Sequence, residues 1–155
     1  MGDIPSIPEI PPDIATPVGS LSTNLTFPVK IKATISSLVS KMFPEPEWTA
    51  QALLTDRSGT KEMRLSEKLL CKMIGYTSQE FKQLKPVSAT NQGIKMFLRK
   101  GLESCQTDLR FKTGRFTVQL NTVNQHLSPY EVVECQKIDE VEEKELKEYV
   151  LSKVH

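Results

Sequence analysis

The side chains best suited to hold a metal or to pair as nucleophile and base are Cys71, Cys105, Cys135, His126 and His155. Their spacing supports neither chemistry. The cysteines lie about 30 residues apart and form no Cys-x-x-Cys pair, so the usual zinc arrangement is missing. Three thiols with no apolar signal segment ahead of them suit a reducing compartment, where cysteines stay free and act as small core hydrophobes. His126 sits in a polar stretch without a partner to orient it as a base. No phosphate-binding glycine loop, GxSxG, HExxH or EF-hand spacing occurs. The expectation is a protein that is not an enzyme and that uses no cofactor and no metal.

Binding chemistry is better represented. Lys30, Lys32, Arg57, Lys61 and Arg64 could line a strand face that takes single-stranded nucleic acid, with Trp48 as a stacking platform. Against this, 20 Lys and Arg oppose 19 Asp and Glu, and a net charge of +1 supplies no long-range attraction for phosphates. Trp48 opens an alternating run and reads better as core, while Lys30 and Lys32 occupy the solvent phase of their own strand. Weak or no direct DNA binding is expected, carried by Lys30 and Lys32 if it occurs. The second candidate is the charged segment 139–154, where Leu146, Tyr149, Val150 and Val154 make a narrow apolar seam. That seam either rests on the chain's own barrel or completes its burial against another helix. The second reading makes Leu146, Tyr149 and Val150 the partner-binding residues.

These candidates must be positioned by about one domain plus a tail, the ordinary content of 155 residues. Residues 1–26 carry Pro5, Pro8, Pro11, Pro12 and Pro17, which deny them helix and ladder hydrogen bonds, and are expected to form a flexible leader. The domain itself should run over 27–138. Val29, Ile31, Ala33 and Ile35 alternate with polar residues as a strand does, and Trp48 to Leu54 repeats the pattern. Asp56-Arg57-Ser58-Gly59 turns the chain into a returning strand through Met63 and Leu65. Three helical segments follow. Ser66 caps the first and Gly75 stops it; Thr77 and Glu80 form a capping box for the second, which Pro86 should end. Ile94, Phe97, Leu98, Leu102, Cys105 and Leu109 mark the third at three- and four-residue steps. Phe116, Val118 and Leu120, then Tyr130 to Ile138, make a second hairpin, and residues 139–155 form a terminal helix. Three strands, helices, two strands and a helix is the plan of a five-stranded OB-fold barrel, mainly β, with a helical insert and a C-terminal docking helix. No apolar stretch approaches the roughly 18 residues that cross a bilayer, so no membrane is expected.

Three stretches carry a family resemblance: Asp56-Arg57-Ser58-Gly59-Thr60, then Leu69-Leu70-Cys71-Lys72-Met73-Ile74-Gly75-Tyr76, and then Phe97 to Leu109. Together they resemble the C-terminal OB domain of the first subunit of the RecQ-mediated genome instability complex, over roughly residues 27–154. The third is the most specific, since Gly101, Gln106 and Asp108 match along with the apolar positions. Arg57 and Ser58 depart from the family's Asp-Gly-Thr-like turn. The resemblance implies a nuclear scaffold. Such a domain pairs with a second, smaller OB subunit and works with topoisomerase III and a Bloom-type RecQ helicase to dissolve recombination intermediates.

Overall fold

The computed structural model describes residues 15–44, 47–121 and 128–153. Five strands make a closed barrel: β1 (Val29–Leu38), β2 (Ala50–Asp56), β3 (Gly59–Leu65), β4 (Thr113–Leu120) and β5 (Tyr130–Gln136), in spatial order β1-β2-β3-β5-β4. Between β3 and β4 lie α1 (Glu67–Ile74), α2 (Ser78–Ser88) and α3 (Gln92–Leu109), and α4 (Glu140–Lys153) follows β5. This is the expected OB plan. Closure depends on β1, whose first half pairs with β4 from Val29 to Thr34 and whose second half pairs with β2 from Thr34 to Leu38. A register shift between Ile35 and Ser37 bends the strand from one partner to the other.

The alternation read from the sequence fills the interior. Ile31, Ala33 and Ile35 meet Ala52, Leu54, Met63, Leu65, Phe116, Val118 and Val132, all essentially without solvent contact. Leu70, Leu98, Cys105 and Leu109 of the insert join the same core. The last seam to close is the short parallel pairing of β3 with β5, where Arg64 faces Glu131. Arg64 is buried there and ion-paired with both Glu131 and Glu47, while its Nε–H donates to Thr49 Oγ1 at 2.9 Å. A buried guanidinium holding two carboxylates is costly to break from one side.

The local stops behave as their residue types dictate. Leu69 N–H donates to Ser66 Oγ, and Gly75 ends α1 at φ 98°, a left-handed conformation that suits glycine. The Thr77–Glu80 capping box is present in both directions. Pro86 does not end α2, which continues to Ser88. A proline in the last turn forfeits one backbone bond, and Ser88 Oγ–H bonds Lys85 O at 2.6 Å within that turn.

The expected boundary at residue 27 is too late. Residues 18–20 form a 3₁₀ turn whose Val18 is fully buried, with Leu21 beside it in the core. Asp56 explains the placement. Its Oδ1 accepts from the N–H groups of Ser58 and Gly59, shaping the β2–β3 turn, and its Oδ2 accepts from Val18 N–H at 2.9 Å. Gly19 N–H donates to Ser58 Oγ, and a Cβ on Gly19 would lie 2.4 Å from Ser58 O, so only glycine allows this approach. Proline density gave no sign of these two buried side chains. Residues 1–14 lie outside the described residues.

Candidate protein-docking surface

Helix α4 lies on the outer wall of the barrel against β1, β4 and β2. Asp139 starts it: its Oδ2 accepts from Val141 N–H at 3.1 Å and from Glu142 N–H at 3.4 Å, an N-cap reinforced by acidic residues in the first turn. A row of hydroxyls crosses this side of the barrel. Thr113, Thr34, Thr55 and Thr60 are cross-strand neighbours on four successive strands. Thr34 Oγ1 bonds Thr113 Oγ1 at 2.7 Å, and Thr55 Oγ1 bonds both Thr60 Oγ1 and Ser36 Oγ at 2.9 Å. Thr34 points outward by strand alternation yet has no solvent exposure, because α4 covers it.

The apolar seam of α4 faces this wall. Val150 is 0% exposed, and Leu146 and Tyr149 are half-buried. Two polar contacts, two turns apart along the helix, pin it. Lys32 Nζ meets Glu142 Oε2 at 2.8 Å, and the Arg57 guanidinium lies over the Tyr149 ring, 4.7 Å from its centroid. Arg57 is one of the two residues that depart from the family's turn, so the departure supplies a clamp on α4. Leu146 also borders a cleft of about 400 Å³ between α4 and residues 15–17, with Lys32, Arg57 and Ile138 on its walls. Val154 and His126 lie outside the described residues.

The structure scatters the basic face that could have bound a single strand. Trp48 is 1% exposed and belongs to the core; its Nε1–H donates to Tyr76 O at 3.2 Å. Arg64 is buried between two carboxylates, Arg57 stacks on Tyr149, and Lys32 is paired with Glu142. Lys30 is exposed, with its Nζ 3.5 Å from Gln136 Oε1. Among the described residues, the aromatic ring recorded against these cations is that of Tyr149, and Arg57 occupies it.

The aromatic residues gather instead around the insert. Tyr76 sits between Trp48, Phe81 and Phe97, with ring centroids 5.4–6.2 Å apart, and donates its hydroxyl to Leu98 O at 2.6 Å. Burial pushes its phenol up to about 12, and burial likewise pushes the Cys105 thiol up to about 12. Cys71 and Cys135 are raised in the same direction, again first by burial. All three cysteines are free thiols. Phe97 departs from its expected place in the buried stripe: it is 53% exposed, because α3 turns Leu98, Cys105 and Leu109 inward and meets the end of α1 through Gly101. Among the described residues no cluster of His, Cys, Asp or Glu could hold a metal, and no helix is long and apolar enough to cross a membrane.

A closed five-stranded barrel with a helical insert and a terminal helix lying on its outer wall is an OB-fold module. The family profile of RecQ-mediated genome instability protein 1, C-terminal OB-fold, matches residues 14–150, and the chain belongs to that family. Its start at residue 14 agrees with the packing of Val18 and Leu21. No curated protein sequence matches the chain. Solved structures similar to it include two. One, described as the structure and conformational change of a replication protein A heterotrimer bound to ssDNA, shares 11% identity over 81% of this chain and 34% of its own, with a TM-score of 0.36. The other, yeast RPA bound to ssDNA, shares 13% identity over 88% of this chain and 92% of its own, with a TM-score of 0.40. This chain thus spans about a third of the first structure's chain.

Proposed function

We propose that the protein is a non-catalytic nuclear OB scaffold. It pairs with a second, smaller OB subunit, and the pair serves a complex of topoisomerase III and a Bloom-type RecQ helicase that dissolves recombination intermediates. Family membership supports this reading. The observation that carries the pairing itself is α4: the helix is fixed to the wall by Val150, Lys32 and Arg57, yet keeps Leu146 partly open at a cleft and Tyr149 half-buried under Arg57. A pre-fixed helix loses little freedom on binding, so two large side chains can anchor a partner economically. In this reading Val150 contributes by holding the helix in place, and Leu146 and Tyr149 meet the partner directly.

The test is co-purification of the chain from its source cells, followed by the variant Leu146→Asp with Tyr149→Asp. The expected outcome is recovery of one small OB protein with the unaltered chain and its loss with the double variant, while circular dichroism still reports the folded barrel. A partner retained by the folded double variant sinks the assignment of α4. Absence of any OB protein sinks the scaffold reading.

A further inference from the structure

The groove between α2 and α3 is separate from the α4 wall and is used by nothing described so far. Its floor is apolar, made by Phe81, Leu98 and Leu102, and it encloses about 310 Å³. Its rim is cationic: Lys85 stands on the α2 side and Lys95 and Arg99 on the α3 side. All three are exposed, and none has a carboxylate within ion-pair distance among the described residues. Glu103 is the acidic residue on the rim, at one end. Met96, 61% exposed, lies on the outward crest of α3 between these cations and Lys100, since successive helical residues are about 100° apart.

The charge belongs to the whole insert. Residues 67–112 carry nine Lys and Arg and four Asp and Glu, a surplus that the near-neutral total conceals. Apolar floor and cationic rim together select a ligand with both features. We propose that the α2–α3 groove docks an acidic peptide segment of a protein partner, whose apolar side chains enter against Leu98 and Leu102 while its carboxylates meet Lys85, Lys95 and Arg99. A nucleic acid fits less well. The Phe81 ring is packed edge-on against Trp48 at 5.2 Å, stacked with Tyr76 at 6.2 Å and covered by Lys85 Nζ at 5.7 Å, which leaves no free face for a base. The volume suits one or two side chains rather than a strand.

Panning a random-peptide phage library on the full chain reads the chemistry directly. Enriched peptides should combine Asp or Glu with Leu, Ile or Phe. Their binding should weaken by about tenfold or more on Lys95→Glu with Arg99→Glu, and again on Lys85→Glu from the opposite wall. These positions are exposed on helix surfaces, so melting curves should match the unaltered chain. The charge-reversed chain should in turn enrich basic peptides. Enrichment that ignores charge, or that survives both variants, overturns the proposal. A labelled single-stranded oligonucleotide whose binding disappears with Lys95 and Arg99 overturns it in favour of nucleic acid. Self-association in sedimentation that disappears with the same variants overturns it in favour of a second copy, whose acidic α4 would be the occupant.

Discussion

The helical insert and α4 both lay helices against the same barrel, one by joining its core and the other by lying on its skin. The insert sends Leu69, Leu70, Ile74, Leu98, Cys105 and Leu109 into the cluster that also holds the strand interiors. It is further tied by Trp48 and Tyr76 hydrogen bonds to backbone carbonyls. Helix α4 buries one side chain completely, Val150, where it lies against β1, β4 and β2, and is otherwise held by an ion pair and a ring contact. Their charges differ as well: β5 and α4 carry eight Asp and Glu against four Lys and Arg over residues 131–153, the reverse of the insert. The lesson is that one element can share the core and still leave an open groove, while another rests on the barrel's surface through a single fully buried side chain. Opposite charge at two separate places is how a chain of net charge +1 can offer two distinct protein surfaces.

The comparison breaks first if the insert is not part of the core. Leu98→Ala removes a buried side chain where α3 meets the cluster and should cost about 2–5 kcal/mol, read as a lower urea midpoint for the whole domain. A loss confined to the helices, with the barrel melting where it did before, would show that the insert is an independent layer.

Val150→Asp tests the other side. It forfeits roughly 1.5–3 kcal/mol of burial and buries a carboxylate between helix and barrel, so α4 should detach. Amide exchange should then rise in residues 140–153 and at Thr34, while the strand interiors keep their protection. Uniform loss of protection would place α4 within the same cooperative unit as the insert.

How much of this contrast could be read in advance depends on the kind of signal. The insert was legible because helix caps and periodicity are local: Ser66, Gly75 and the Thr77–Glu80 box each act within a few residues. The strand alternation was legible for the same reason, and the barrel followed from element order. Long-range placements were not. The seam of α4 is visible in the sequence, but nothing local says whether Val150 meets a partner or the wall of its own barrel. Trp48 is core, as its place in an alternating run implies, but Arg64 stands among the possible binding residues in the sequence and turns inward because Glu131 arrives from a strand 67 residues later. The burial of Val18 depends on Asp56, which no pattern within residues 15–26 could disclose.

Base titration sharpens the picture of the insert. Tyr76 and Cys105 both have acid forms favoured by burial, each pushed up to about 12. Their protonated forms contribute stability that is fully present below the unfolded values of 10.0 and 9.0 and is lost as pH rises toward 12. Stability should therefore fall between about pH 9 and 12, and Tyr76→Phe with Cys105→Ala should flatten that part of the curve. At pH 8 Cys105 should react with thiol reagents only after unfolding.

The smallest effect concerns the clamp itself. Lys32 and Glu142 are partly exposed, with side-chain exposures of 24% and 49%, so solvent and salt screen their attraction. Lys32→Ala should cost about 0.2–1 kcal/mol, and the cost should shrink in 1 M salt, whereas that of Val150→Asp should persist because lost apolar contact does not depend on ionic screening. The same substitution bears on nucleic-acid binding. A labelled single strand should bind the unaltered chain weakly, since Lys30 stands exposed without neighbouring free cations on its strand and Lys32 is already committed to Glu142. If Lys32→Ala leaves stability untouched but abolishes submicromolar DNA binding, the ion pair is incidental, the strand face rather than α4 is the working surface, and the contrast drawn between a core-bound insert and a clamped helix no longer explains what the barrel is for.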